Sequence, residues 1–305
     1  MCGDFRPHRA ENHRRFQPSG AVAAYLDRLH VEAEPSSVPA LHRLVAAHAA
    51  HIPYETVWLY LEEPRGIGRA ESIQHLVGER RGGYCYQLNG AFSWLLQQLG
   101  YDARLHRSTV HGPEAPLPTQ RLNHAALLVY GLPDDANPGG RWLADVGLGD
   151  GPTAALPMTD GPHRSAPFTW RIGPAEYPGF DVEVRHDPKG TFNRFGISSE
   201  VTSMRPFLRR HRWLATSPLS GFRRAVVAQR REGRHVISVR GLLHTHYDGR
   251  RLDEQTVDEA ASWYGLLADE FGIVLDAVPR SDRQRLWRTV VRQHERWLAA
   301  SESGG

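Results

Sequence analysis

Lysine is nearly absent from this chain: among 37 basic residues only Lys189 is one, and arginine supplies the rest. Acidic residues number 34, which leaves a formal charge of +3 over 305 residues. So mild an excess does not argue for a nucleic-acid partner. The arginine-, alanine-, glycine- and proline-rich usage reflects base composition and says nothing about mechanism. Cysteine is scarce as well. Cys2 and Cys85 could form one bridge at most, and Cys2 lies in a polar terminus unsuited to a structural disulfide. A free cysteine fits a reducing compartment. The first twenty residues lack the apolar core of a secretion signal, and no run approaches the roughly 20 apolar residues that span a bilayer. The expectation is a cytoplasmic protein with no membrane partner. Internal repeats, heptads and low-complexity tracts are also missing.

Apolar residues make up 40% of the chain and charged residues 23%, the balance of an ordinary soluble protein with a real core. The most informative stretch runs from Arg80 to Asn89, RRGGYCYQLN. Gly82 and Gly83 supply a Cβ-free turn that permits positive φ. Tyr86, Leu88, Ala91, Phe92, Leu95, Leu96 and Leu99 then recur at helical spacing until Gly100. Cys85 therefore falls at a helix N-terminus, where unpaired N–H groups and the macrodipole favour an anion and suit a thiolate nucleophile. A buried cysteine in a helix is more often inert packing, but inert packing has no need of a glycine turn before it.

Around this stretch the first hundred residues read as helical. Apolar positions align at Ala24, Tyr25 and Leu29, and then from Leu41 to Ile52 after Pro39, with Pro53 as a stop; Ile73 to Val77 begins another helical piece. The period then shortens. Strands are expected at 103–110, 124–130, 141–146, 169–172 and 180–185, a middle third that is all-β and consistent with a small barrel. A proline-bearing loop over 111–120 and the turn PDDANPGG separate the first three. The last third is mixed: a hairpin of 225–228 with 235–239, a helix over 257–271 ended by Gly272, a short apolar 273–275, and a final helix over 281–299.

A thiolate nucleophile needs a base, and the base an orienting carboxylate. His124 opens the apolar run HAALLVY, and Asp145 ends WLAD before Val-Gly, so both are polar groups set at the ends of buried strands. Each has a bland reading, as one of 17 histidines and as a strand-end turn residue. His235, His244 and His246 could in principle face a metal, but no carboxylate or thiolate completes a ligand set. The run Gly147 to Gly151 follows no strand-to-helix phosphate pattern.

Taken together, these pieces resemble the arylamine N-acetyltransferase family, which includes the related amide synthases of polyketide pathways. Tyr25 to Leu29 resembles its opening helix and HAAHIPYE (His48 to Glu55) its “H…IPFEN” segment. RGGYCYQLN resembles the nucleophile motif RGGYCFELN, Asn123-His124 the histidine strand, and WLADVGLG the “DVGFG” segment. Thr216 to Phe222 resembles “STSPxSxF”, and Phe271-Gly272-Ile273 its late FGI. The resemblance implies an α+β fold of three domains with a cysteine-protease-like catalytic core. After a flexible extension (1–20), a helical domain (21–102) would carry the nucleophile and a β-barrel domain (103–210) the histidine and aspartate. An α/β lid domain (211–305) would end in the C-terminal helix.

It further implies a catalytic set of Cys85, His124 and Asp145, and a ping-pong reaction with no permanently bound cofactor. An acyl group, acetyl from acetyl-CoA in the first instance, would pass through Cys85 to an aromatic amine or hydrazine. Arg81, Gly82, Gly83 and Glu55 would support the site, with Glu55 and Arg81 either paired or solvated. Tyr54, Tyr86, Leu148, Ser220 and Phe222 would border the substrate pocket. The chain departs from the family pattern at Tyr86 and Gln87 (usually Phe and Glu), at Thr56 (usually Asn), and at Leu148, where an aromatic is usual. It is also stretched between His124 and Asp145. The departures raise an alternative, an amide synthase drawing on a carrier-protein thioester, with the arginine-rich stretches 205–212 and 223–234 as exposed faces for a pyrophosphate or an acidic carrier. A thiol hydrolase is a further reading, disfavoured because a lid excludes water.

Overall fold

The computed structural model describes residues 19–61, 63, 65–111, 122–186 and 191–302. Residues 1–18 with Cys2, the loop 112–121, and Lys189 lie outside the described residues. The chain begins with helices α1 (Gly20–Leu29) and α2 (Val38–His51), then β1 (Tyr54–Glu55), α3 (Val57–Tyr60), α4 (Arg69–Ile73) and α5 (Cys85–Gln98). Local chemistry sets their limits. Ser37 Oγ accepts the Ala40 N–H at the start of α2, with Pro39 in its first turn, and Ile52 leaves the helix in extended conformation ahead of Pro53. Tyr25, Leu41, Val45, Leu88, Phe92, Leu95 and Leu96 bury their side chains in one cluster, which fixes α5 against α1 and α2.

Eight antiparallel strands follow: β2 (Asp102–His111), β3 (His124–Tyr130), β4 (Trp142–Leu143), β5 (Leu156–Pro157), β6 (Gly161–Ser165), β7 (Phe168–Pro174), β8 (Val182–Arg185) and β9 (Arg194–Thr202). Their spatial order is β5-β4-β3-β2-β9-β8-β7-β6. The two edge strands are consecutive in sequence, joined only by residues 158–160, so the sheet curls into a nearly closed, barrel-like form. The last part holds α6 (Leu208–Thr216), β10 (Val227–Glu232), β11 (His235–Arg240), β12 (Leu243–Tyr247), β13 (Leu252–Thr256), α7 (Ala260–Phe271) and α8 (Arg280–Glu302). Its sheet recruits β1 from the helical part, in the order β1-β10-β11-β12-β13.

Several sequence expectations are corrected. The strand expected over 141–146 pairs only at Trp142 and Leu143, because the polar groups beyond it bond to a helix side chain. The helix expected from 257 begins at Ala260, preceded by β13, an exposed edge strand with no apolar alternation to reveal it. The short apolar stretch 273–275 follows α7 directly, and Ile273 N–H closes the end of that helix on the Leu267 carbonyl. Strands β6, β9 and β12 were not anticipated. The boundary placed between 210 and 211 falls inside α6.

The turn before α5 is also built differently from the expectation. Neither Gly82 nor Gly83 has positive φ; Arg80 takes the left-handed conformation, at φ 51°. The glycines serve close approach instead. Glu55 N–H donates to Gly83 O at 2.8 Å, and a Cβ on Gly82 would run into the Pro53 carbonyl oxygen, a backbone atom that cannot swing aside. Gly82→Ala is therefore expected to destabilise the protein by about 1–3 kcal/mol, measured as a lower urea midpoint; an unchanged midpoint would show that β1 can shift freely.

Candidate active site

Cys85 is the first residue of α5 and is 4% exposed. His124, the first residue of β3, places Nε2 2.7 Å from Asp145 Oδ2, with Cys85 near enough to act on the charge of its ring. A carboxylate can only accept, so Nε2 carries the hydrogen toward Asp145. Burial opposes charge on the His124 ring, but the Asp145 carboxylate and then Cys85 outweigh it and push its pKa up to about 10. Cys85 Sγ lies 3.8 Å from the Asn123 carbonyl oxygen. Asn123 holds that end of β3 in place, with its amide bonded to both backbone groups of Val110 at 2.7 and 3.0 Å.

The three groups converge because of a residue that sequence reasoning passed over. Asn89, fully buried one turn along α5, donates through Nδ2 to Ala125 O and to Asp145 Oδ1, both at 2.8 Å, and accepts the Val146 N–H at 2.9 Å. Gly147 N–H donates to the same Asp145 Oδ1 at 2.9 Å. Asp145 thus has both oxygens engaged and can turn only one edge to His124. Asn89 sits inside RGGYCYQLN at helical i,i+4 spacing from Cys85, and that spacing was the available signal. Gly147 is a second such residue: a Cβ there would press on the Cys85 Cα and Cβ.

The neutral Gln87 now has a role. Its Oε1 accepts the Tyr84 N–H at 3.2 Å, capping α5 without placing a carboxylate a turn from the sulfur. Glu55 is fully buried and accepts the Val57 N–H at 2.6 Å, while Arg81 Nη2 lies 3.4 Å from its other oxygen. Gly83 contacts Gln87 and joins β1 through a bridge to Tyr54.

A cavity of about 400 Å³ opens beside Cys85, between the barrel-like sheet, α6 and the β10–β11 hairpin. Tyr54, Leu148 and Phe222 line it, as does Thr56. Burial, with Cys85 and Asp150 adding to it, holds the Tyr54 hydroxyl neutral well above the ordinary phenol range. Tyr86 and Ser220 do not line it. The Tyr86 ring is buried against Phe207 and Tyr84, and Ser220 Oγ caps the Phe222 N–H. Nor is 223–234 a free cationic face. Arg223 donates to Leu59 O, Arg230 pairs with Glu232 and Glu270, and buried Arg231 donates to the carbonyls of Asp150, Gly151 and Ala166. From the 205–212 stretch, Arg210 does reach the cavity wall, stacked 4.2 Å over Trp213. Among the described residues no group of His, Cys, Asp and Glu is arranged to hold a metal ion, and no helix is long and apolar enough to cross a membrane.

A buried thiol, imidazole and carboxylate thus meet at the cavity wall. A family model for N-acetyltransferases matches residues 37–279. Curated relatives include the arylamine N-acetyltransferase of Escherichia coli, 28% identical over 271 residues that cover 86% of this chain and 87% of that protein. The Salmonella typhimurium enzyme, described as an arylamine N-acetyltransferase and N-hydroxyarylamine O-acetyltransferase, is 27% identical over 84% of this chain and 89% of its own. The Mycolicibacterium smegmatis relative is 33% identical over a shorter span, 55% of this chain and 54% of that protein. Among solved structures, the Mycobacterium marinum enzyme in complex with CoA superposes with a TM-score of 0.77 at 25% identity, over 88% of this chain and 98% of its own. The Salmonella structure shares the fold, with a TM-score of 0.78 at 23% identity over 90% and 100% of the two chains. The chain belongs to the arylamine N-acetyltransferase family and is a transferase of acyl groups.

Two outcomes test the site's construction. Asn89→Ala strands the buried Val146 N–H and leaves Asp145 Oδ1 with the Gly147 N–H alone, so it should cost about 1–3 kcal/mol in denaturant unfolding; a loss within error would show that Asp145 is held by other means. For His124 the raised pKa stabilises the fold fully below the ordinary value of 6.5, and that contribution is lost as pH rises through about 10. Its imidazole resonances should accordingly titrate near pH 10, and a midpoint at or below 6.5 would contradict the pairing with Asp145.

Proposed function

We propose that this protein transfers an acetyl group from acetyl-CoA to the nitrogen of an aromatic amine or hydrazine, by a ping-pong mechanism through a Cys85 acyl-enzyme. The carrying observation is the buried line Cys85–His124–Asp145 opening on a cavity. The CoA-bound M. marinum relative supports the donor, and the names of the curated relatives support the acceptor. In the first half-reaction Cys85 Sγ, as the thiolate paired with the protonated His124 ring, attacks the thioester carbon. The tetrahedral intermediate then collapses, the carbon–sulfur bond to the donor breaks, and the departing thiolate recovers the proton from His124. In the second, the amine nitrogen attacks the acyl carbon, His124 receives an amine proton, and Cys85 leaves as the thiolate. Asp145 orients the ring and offsets the imidazolium charge throughout.

The Cys85 N–H, in the first turn of α5, is a candidate oxyanion donor. Gly147 N–H is not, being committed to Asp145. A weakly basic arylamine is neutral at pH 7, ready to attack, and a stronger nucleophile than water; that balance favours aminolysis over hydrolysis. The reading extends to a three-domain arrangement, helical part, barrel-like sheet and covering α/β part, around a cysteine-protease-like core in the cytoplasm. Arg81, Gly82, Gly83 and Glu55 act as its support.

Incubation with acetyl-CoA and no amine should add one acetyl group to the intact protein mass, none to Cys85→Ala, and proceed at least about 100-fold more slowly in His124→Gln. No adduct on a still-reactive thiol would overturn the CoA donor and favour a carrier-protein thioester and the amide-synthase reaction.

A further inference from the structure

A second chamber adjoins the catalytic cavity. A cavity of about 320 Å³ lies next to the first and shares Asp150, Thr191, Gln229 and Ser238 with it, so the two adjoin across these side chains. The strand register shows how it is laid out. Tyr54 pairs with Gln229, Gln229 with Ser238, and Ser238 with Thr245, so these side chains form one row across a single face of β1, β10, β11 and β12. Val236 and Tyr247 form the neighbouring row on that face and, with Phe168 from the barrel-like sheet, give the chamber buried apolar walls. From Gln229 to Thr245 is two strand spacings, roughly 10 Å. Ser238 Oγ and Thr245 Oγ1 satisfy each other at 2.6 Å, and the Asp150 carboxylate is taken by the Thr191 N–H and hydroxyl. These four polar groups are thus spent on one another; Gln229 and Arg250 complete the polar lining, and the walls of Val236, Tyr247 and Phe168 suit an apolar occupant.

Between Cys85 and the chamber the wall of the first cavity is built in part of glycines, which add no side chain to it. Gly147 packs on the nucleophile and Gly149 on Gln229. Leu148, in place of the aromatic usual in the family segment, packs into the same apolar cluster as Phe168, Val236 and Tyr247.

Ping-pong stereochemistry decides which part of which substrate enters. The departing thiol and the attacking amine occupy the same position on the tetrahedral carbon in turn, so they share one route, and the acyl substituent must extend along another. The other arm of the cavity, bordered by Arg210, Trp213 and Arg240, suits a phosphate-bearing thiol.

We propose that the chamber bounded by Val236, Tyr247 and Phe168 receives the acyl chain, and that this enzyme accepts medium-length acyl thioesters as well as acetyl. The proposal rests on the acyl-enzyme reading above. For such donors Cys85 Sγ bonds to the acyl carbon and the thiol of coenzyme A leaves with a proton, as for acetyl.

The test is intact-protein mass against time with acetyl-CoA and hexanoyl-CoA in separate reactions, on wild type and on Val236→Trp and Thr245→Phe. The expected result is a hexanoyl adduct on wild type at a rate within about tenfold of acetyl, and at least about a tenfold loss of hexanoylation in either variant with acetylation retained. Acetylation also reports that each variant is folded. An acetyl adduct without a hexanoyl adduct, or variants that slow both donors alike, would overturn the chamber's role and leave acetyl transfer standing. Absence of both adducts on a still-reactive Cys85 would overturn the coenzyme A donor, and the chamber's role with it.

Discussion

One buried amide holds this site together. Asn89 is fixed on α5 by the same helical register as Cys85, and its three hydrogen bonds reach β3 at Ala125 and the segment after β4 at Asp145 and Val146. Cys85, the strand that carries His124, and Asp145 come from three separate parts of the chain. Without a polar tie of fixed geometry, only non-directional packing would set their relative positions. Hydrophobic burial brings α5 onto the sheet, but it specifies no angle. The amide does, because a buried donor left unmade is expensive.

The second constraint is the seam between the helical part and the last sheet. β1 is only two residues long, yet it pairs with β10 on one side and bonds the Gly83 carbonyl on the other. Glu55, one of those two residues, is buried beside Arg81, and a buried ion pair of this kind costs desolvation that only good geometry offsets. Its place directly before the nucleophile turn ties the position of Cys85 to that of the covering sheet. The cavity is the space left between these tied elements, so its walls belong to all three regions of the chain.

Much of this was legible in the sequence where local chemistry dominates. α5 and β3 show their limits through apolar periodicity and bounding residues, and the placing of Cys85 and His124 at their first residues followed from that. Asp145 was legible only as a polar residue after an apolar run; that its strand stops two residues earlier is a consequence of Asn89, whose partners are remote in sequence. The edge strand β13, every residue of it exposed, carries no apolar alternation and could not be read. Tyr86 was placed at the pocket because it adjoins Cys85, but on a helix adjacent residues point about 100° apart, and its ring turns into the core. The stretch 223–234 read as solvated charge because a sequence does not show that Arg231 will be buried among carbonyl oxygens.

The most direct test of a covalent route through Cys85 is steady-state kinetics with acetyl-CoA and an arylamine varied together. The account predicts parallel double-reciprocal lines, because the donor thiol leaves before the amine binds. Intersecting lines would require both substrates on the enzyme at once and would contradict the acyl-enzyme mechanism.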